Sequence, residues 1–372
     1  MILIAVSILF LVGIVIFVTS TDNLSQFGAN PKGERLERIK KSAQYNGEKF
    51  VNKLPVNMSF GIKGFSEMLS KSLFGKEVTF PKKTIPIIQL DTSSFRNNPS
   101  NELRATWMGH STVLIEIEGA IILIDPVWSK RCSPSSLVGP KRFHPPPISI
   151  EELPPLDAVL ISHDHYDHLD KNAVCKLAKT GVRFYIPLGV GAHLEKWGIS
   201  LNQISEMDWW DGYTISEEKI EIIATPARHF SGRGMLMGSN PTLWVSWVIA
   251  GKNNRVFHSG DTGIFPGIKE VGDKFGPFDV TFIKIGAYNK MWPDIHLNPE
   301  QAIDVQDSLG GKLLIPIHWG TFNLAFHDWF EPAERLADAS NSMRMRLFVP
   351  RPGQIISISN LPEVDYWWRE LK

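Results

Sequence analysis

The heptapeptide Ser162-His163-Asp164-His165-Tyr166-Asp167-His168 follows directly on an apolar β-branched run, Ala158 to Ile161. His163, His165, Asp167 and His168 cannot all be ordinary interior polar groups, because each buried imidazole or carboxylate without a partner costs several kcal/mol. A cation satisfies them together. On an extended turn His163 and His165 project to one side, whereas Asp167 and His168 lie where the chain enters the helix expected over Asn172 to Lys179. Nitrogen and carboxylate ligands without thiolate suit zinc, with iron or manganese as substitutes.

A site of this kind needs ligands from distant parts of the chain, and three occur just after β-type runs. His229 follows Ile220–Ala224, Asp261 follows Val256–His258 in His258-Ser259-Gly260-Asp261-Thr262-Gly263, and His318 follows Leu313–Ile317. The reading assigns His163, His165 and His229 to one metal ion and Asp167, His168 and His318 to a second. Asp261 bridges them, since a carboxylate offers two oxygens to cations ~3.5 to 4 Å apart. Further strands are expected over Leu103–Met108, Thr112–Ile117, Ala120–Ile124, Thr242–Ile249 and Val280–Ile285. Asn298-Pro299-Glu300-Gln301 supplies a capping box and Gly310-Gly311 a stop for a helix. Early strands in hairpins and later ones separated by helices imply an α/β chain with helices on the outer faces of its sheets.

Composition narrows the class. The 372 residues carry 39 basic and 39 acidic side chains and are 43% hydrophobic, enough for a sizeable core and unlike a disordered chain. Zero net charge leaves no overall field to collect nucleic acid. Cys132 and Cys175 have neither redox nor thiolate-zinc spacing.

Ile2 to Val18 is a run of seventeen residues without a charge, preceded only by Met1. It is read as an uncleaved, single-pass membrane anchor over residues 1–20 rather than a signal peptide. Lys32, Arg35, Arg38, Lys40 and Lys41 would keep the following domain on the cytoplasmic side, with export as the alternative. Residues 21–53 read as a charged linker with a short helix near Glu34–Lys41, and 54–100 as an accessory segment. There Phe65, Met68, Leu69, Leu73 and Phe74 recur at helical spacing, for packing or for contact with lipid. The catalytic domain is placed at 101–345 and a tail at 346–372.

The spacing His163-x-His165-x-Asp167-His168, with Gly260-Asp261-Thr262-Gly263 and His318, resembles the metallo-β-lactamase superfamily. That resemblance implies an αββα sandwich around a binuclear metal centre. Family members with a di-iron centre for oxygen chemistry carry Glu where His165 stands, so the resemblance points to a hydrolase. Within the superfamily, several segments look like the N-acylphosphatidylethanolamine-hydrolysing phospholipase D family. They include Trp107-Met108-Gly109-His110-Ser111-Thr112, Asp125-Pro126, Arg131-Cys132-Ser133-Pro134, Gly139-Pro140-Lys141-Arg142-Phe143, Asp208-Trp209-Trp210, Ile285-Gly286-Ala287-Tyr288 and His318-Trp319-Gly320-Thr321-Phe322. The similarity spans about residues 100 to 335.

It implies cleavage of the phosphodiester between phosphatidate and an N-acylethanolamine, with two zinc ions and a hydroxide bridging them as the nucleophile. The implied partners are a phospholipid and the bilayer, and a homodimer stays open. Asp167 and His296 are placed at the chemistry, His296 by alignment with a histidine that contacts the phosphate in the family. Asp125 is expected to orient a ligand imidazole. His110 and His258 either join that outer shell or are satisfied core histidines. Lys141 and Arg142 either meet a lipid phosphate or are solvated loop cations; Tyr166 and Tyr288 either donate to the phosphate or leaving oxygen, or pack. The closest rival keeps the fold and changes the bond, as in a lactonase or other carbonyl hydrolase.

Overall fold

The two hairpins that follow residue 101 are built from segments apolar at nearly every position, a pattern suited to strands buried on both faces. In a computed structural model, which describes residues 21–57, 70, 71, 74–95, 102–215, 220–234, 240–343 and 345–372, they lie inside a sandwich of two sheets. The first sheet takes β1 (Arg104–Gly109), β2 (Thr112–Ile117), β3 (Ala120–Ile124), β4 (Ala158–Leu160), β5 (Phe184–Pro187) and β6 (Ile204–Met207). The second takes β7 (Gly212–Ile215), β8 (Ile220–Thr225), β9 (Ser246–Ala250), β10 (Arg255–His258), β11 (Val280–Lys284) and β12 (Leu314–Ile317). A last strand, β13 (Ile355–Ser357), joins the outer edge of β1. Spatial order is β13-β1-β2-β3-β4-β5-β6 in one sheet and β12-β11-β10-β9-β8-β7 in the other. In each sheet hairpin strands pair antiparallel and the later, helix-connected ones parallel.

Period-two alternation sorts the side chains. Val113, Ile115, Ile122, Ile124 and Leu160 face the core shared between the sheets, where they meet Ile222, Trp247 and Phe282. Their neighbours Leu114, Leu123 and Val159 face outward onto Val174 and Leu177 of the helix Lys171–Ala178. The outer face of the second sheet is covered by the helices Gly267–Phe275, Pro299–Leu309 and Glu331–Met343. The expected αββα layering is therefore present. Pro299–Leu309 starts as its sequence predicts: Asn298 accepts from the Gln301 amide at 2.8 Å, Gln301 returns the bond, and Gly310 ends the helix at φ 61°.

The reading of Thr242–Ile249 as one strand is too long by its first half. The amides of Leu243 and Val245 bond to Leu188 and Ser162 of the first sheet's loops, so only Ser246–Ala250 joins a ladder. Strands β5, β6, β7 and β13 have three or four residues each, too few for a clear period, and β7 is largely exposed.

Two flanking segments differ from expectation. Residues 24–57, read mainly as a charged linker, form a strap packed over the domain. Arg35, read as a juxtamembrane cation, bonds Glu206 at 2.9 Å and Glu195 at 2.6 Å, and Arg38 also binds Glu206. Ile39 and Phe50 are buried. Farther along, Asn52 grips both backbone polar groups of His229, at 2.7 and 3.1 Å.

The tail is likewise part of the domain. Trp367 and Trp368 are buried, and Trp367 stacks 5.5 Å from Trp319, which itself stacks on Trp107 at 5.6 Å. Trp367→Ala is expected to lower unfolding free energy by about 3 to 5 kcal/mol in urea titration, the usual range for deleting a large buried side chain. A change under about 1 kcal/mol would show that the tail adds little to the core.

Among the described residues no helix is long and apolar enough to cross a membrane. The anchor expected over 1–20 lies outside them, as do Phe65, Met68, Leu69 and Leu73 of the expected helix. Phe74 is described and is 78% exposed.

Candidate metal centre

The loops after β4, β8, β10, β11 and β12 gather at one edge of the sandwich. Open α/β sheets place their ligands outside the carboxyl ends of the strands. Close approach of these loops demands small residues: a Cβ on Gly286 would lie 2.2 Å from the His318 carbonyl, and one on Gly260 (φ 53°) 2.7 Å from Ser162 Cβ. His110, Asp125, Ala287 and His318 all hold positive φ without being glycine, and the His318 amide donates to the His110 carbonyl at 2.9 Å. Such backbone strain, of order 1–3 kcal/mol per residue, persists where the surrounding structure over-determines it.

His163, His165 and His229 form one donor group. His163 Nε2 lies 2.9 Å, and His229 Nε2 3.2 Å, from His165 Nδ1. Asp167, His168 and His318 form a second, and His110 stands with them. Asp167 Oδ2 is 2.8 Å from His110 Nε2, 3.2 Å from His318 Nε2 and 3.4 Å from His168 Nε2. Asp261 lies between the groups. Its Oδ2 is 3.0 Å from His318 Nε2 and 3.7 Å from His229 Nε2, and its Oδ1 is 3.5 Å from His168 Nε2. The seven residues selected from the sequence thus meet in one place, with His110 as an eighth.

Outer partners orient these rings. Asp125 Oδ2 is 2.7 Å from His168 Nδ1, and this carboxylate also accepts from the Ser162 amide and hydroxyl, each at 2.7 Å. A carboxylate can only accept, so Nδ1 carries the proton and Nε2 presents its lone pair to the cluster. The Ile295 carbonyl does the same for His229, 3.1 Å from Nδ1. Asp125 occupies the orienting position expected of it. Asp125→Asn is expected to weaken metal binding by about 10- to 100-fold, read by competition with a chromogenic chelator. Unchanged affinity would remove Asp125 from that role.

The electrostatics fit a cation. Burial, reinforced by neighbouring imidazoles, holds His163 and His229 well below the ordinary histidine range and His110 at about 3. Neutral rings are the form a metal requires. Burial alone would raise Asp261 and Asp167, but facing imidazoles, and Lys284 for Asp261, hold both carboxylates well below their usual range. Burial would also lower His168, yet Asp261, Asp167 and Asp125 outweigh it and push its pKa well up, so a proton on its Nε2 competes with a metal and must leave when one binds. That nitrogen, Asp261 Oδ1 and His165 Nε2 are buried without a hydrogen-bond partner. An all-nitrogen-and-oxygen donor set of this kind suits zinc, iron or manganese.

Other expectations divide. His296 stands beside the cluster, its Nδ1 3.6 Å from Asp261 Oδ2. His258 is a satisfied core histidine: it accepts from the Gly260 amide at Nδ1 and donates to the Ser111 carbonyl through Nε2. Arg142 is neither a solvated cation nor an entrance residue. It is buried, donates to the carbonyls of Val127 and His144, and lies over Phe322. Lys141 is exposed. Tyr166 and Tyr288 pack, with their hydroxyls engaged: Tyr166 donates to the Arg233 carbonyl at 2.7 Å and Tyr288 to Glu331 at 2.6 Å.

Three positioning groups escape the sequence reading. Lys284 is a buried amine beside His296. Arg233, 1% exposed, donates to the carbonyls of Asp164 (2.6 Å), Leu169 (2.9 Å) and Gln26 (2.9 Å), clamping the metal loop to the strap. His193 lies 3.2 Å from Asp164 Oδ2 and accepts from the Ala29 amide. The lysine left a signal, a lone cation in the apolar run Val280–Ile285; the other two left none.

Residues 121–319 match the family described as the beta-lactamase superfamily domain. An uncharacterized protein of Mycobacterium tuberculosis is 47% identical over 289 residues, 76% of each chain. N-acyl-phosphatidylethanolamine-hydrolyzing phospholipase D 1 of Caenorhabditis elegans is 36% identical over 280 residues, 72% of this chain and 78% of the relative. Among solved structures, isothiocyanate hydrolase from Delia radicum gut bacteria superposes with a TM-score of 0.55 at 18% identity, over 68% of this chain and 98% of its own.

Proposed function

Because the chain belongs to the metallo-β-lactamase superfamily, and within it to the N-acylphosphatidylethanolamine-hydrolysing phospholipase D family, we propose that it is a zinc-dependent phosphodiesterase. In this reading it hydrolyses N-acylphosphatidylethanolamine to N-acylethanolamine and phosphatidate. The observation that carries this reading is the position of Asp261 between two complete donor groups. His163, His165 and His229 would hold one cation, Asp167, His168 and His318 the second, and Asp261 would touch both. When bound, the pair would supply a water-derived nucleophile at neutral pH and draw charge from the phosphoryl oxygens.

The protein's own part is to fix geometry and charge. Asp125 and the Ile295 carbonyl set the tautomers of His168 and His229. His296, at the rim of the cluster with a side chain 12% exposed, would meet a phosphate oxygen. A groove of 850 Å³ reaches Tyr166 in the metal loop but none of the metal-facing residues; Lys130, Arg131 and Lys179 line it together with Asp170, and we infer that it would meet a lipid headgroup outside the reacting centre.

The test offers dispersed N-acylphosphatidylethanolamine and a lactone panel to the zinc-loaded protein. Phosphatidate with equimolar N-acylethanolamine is expected; lactone turnover without phosphatidate would replace this reading by a carbonyl hydrolase. We place the reaction at a bilayer surface, with the apolar run Ile2–Val18 as the tether. Removing residues 1–20 should then release the protein from membranes while sparing hydrolysis of detergent-dispersed lipid. Persistent membrane attachment of the truncated chain would shift the tether elsewhere.

A further inference from the structure

Lys284 ends β11 with no exposed surface, in a strand whose other members Val280, Thr281, Phe282 and Ile283 are also buried. Burying an amine is costly unless its N–H bonds are used. Its Nζ donates to the Gly286 carbonyl at 2.8 Å and is in hydrogen-bond contact with Nδ1 of His296. That same Nδ1 faces Asp261 Oδ2 at 3.6 Å. The two neighbours make opposite demands on one nitrogen. A carboxylate would draw the ring proton onto Nδ1, whereas an N–H donor requires a lone pair there. As an ammonium, Lys284 carries N–H donors only, enough for both partners, and can meet Nδ1 only where that nitrogen bears a lone pair.

Resting on the phosphodiesterase reading, we propose that Lys284 is a positioning residue that fixes the tautomer of His296. By donating to Nδ1 it keeps the ring proton on Nε2, the nitrogen across the ring, where it can be given as a hydrogen bond to a phosphate oxygen. Phosphate oxygens accept only, so the other tautomer would turn a lone pair against them. A preformed donor at that position stabilises charge as it develops on the phosphate.

The test compares zinc-loaded wild type, Lys284→Met, His296→Ala and the double variant, with zinc content and melting temperature recorded for each. Ring nitrogen shifts in histidine-labelled protein, assigned by loss in His296→Ala, should show a bare Nδ1 and protonated Nε2 in wild type. In Lys284→Met the proton should move to Nδ1. On N-acylphosphatidylethanolamine, Lys284→Met should lower kcat about 10²-fold with KM within about 3-fold, and cause no further loss on top of His296→Ala. A wild-type ring protonated at Nδ1, or an Nε2 proton that survives Lys284→Met, would overturn the proposal. If Lys284→Met does not fold, the wild-type spectrum decides alone. Should no form of the protein cleave the lipid, the phosphodiesterase reading fails while the shifts still judge Lys284.

Discussion

Asp261→Asn should abolish most turnover while leaving the fold in place. The substitution keeps shape and removes the charge that faces His168, His229 and His318 together. An amide nitrogen would point a donor at one of the two metal groups, so both cations lose a shared ligand. We expect kcat/KM on N-acylphosphatidylethanolamine to fall about 10³-fold, the upper end for loss of one charge-stabilising group. Bound metal should drop from about two ions per chain to about one, as expected when a two-metal site loses its bridge. Melting temperature should change far less than activity. Undiminished turnover with both ions retained would show that Asp261 is not the shared ligand.

Arg233→Met should destabilise the fold strongly. The variant keeps the apolar stem but strands the carbonyls of Asp164, Leu169 and Gln26, and it removes the guanidinium lying 4.0 Å over Tyr166. Each fully buried acceptor left without a partner costs about 1 to 3 kcal/mol, and the Asp164 and Leu169 bonds are the fully buried ones, so a total of about 2 to 6 kcal/mol is expected in urea unfolding. The damage should also have a direction. Because Arg233 joins the metal loop to the strap, protease sites in residues 24–57 should open before those of the sheets. A loss under about 1 kcal/mol, with the strap still protected, would show that the clamp contributes little.

Much of the site was legible because its chemistry is written into short spacings. The His163–His168 turn and the strand ends leading to His229, Asp261 and His318 each stand out locally, and a metal is one physical reason for such groups to be buried. What was hidden depends on partners far along the chain. His110 reaches Asp167 across 57 positions, and only the positive-φ turn after β1 brings it there. Arg35 and Arg38 read as solvated or membrane-facing charges because Glu206, which binds them, lies about 170 positions away. Arg142 reads as a loop cation for the same reason, its acceptors being carbonyls that no side-chain pattern announces. Trp367 and Trp368 were visible as aromatics, but their burial is decided by Trp319, next to the metal-facing His318.

Hydrolysis of N-acylphosphatidylethanolamine in ¹⁸O-enriched water tests the central claim most directly, since the position of the label reports which atom was attacked. Attack at phosphorus places one ¹⁸O in the phosphate of phosphatidate and none in the released N-acylethanolamine, and that is the result expected of the centre built around Asp261. Label in a released fatty acid, with the phosphodiester intact, would mean that the same residues act on carbonyl carbon and would contradict the assignment.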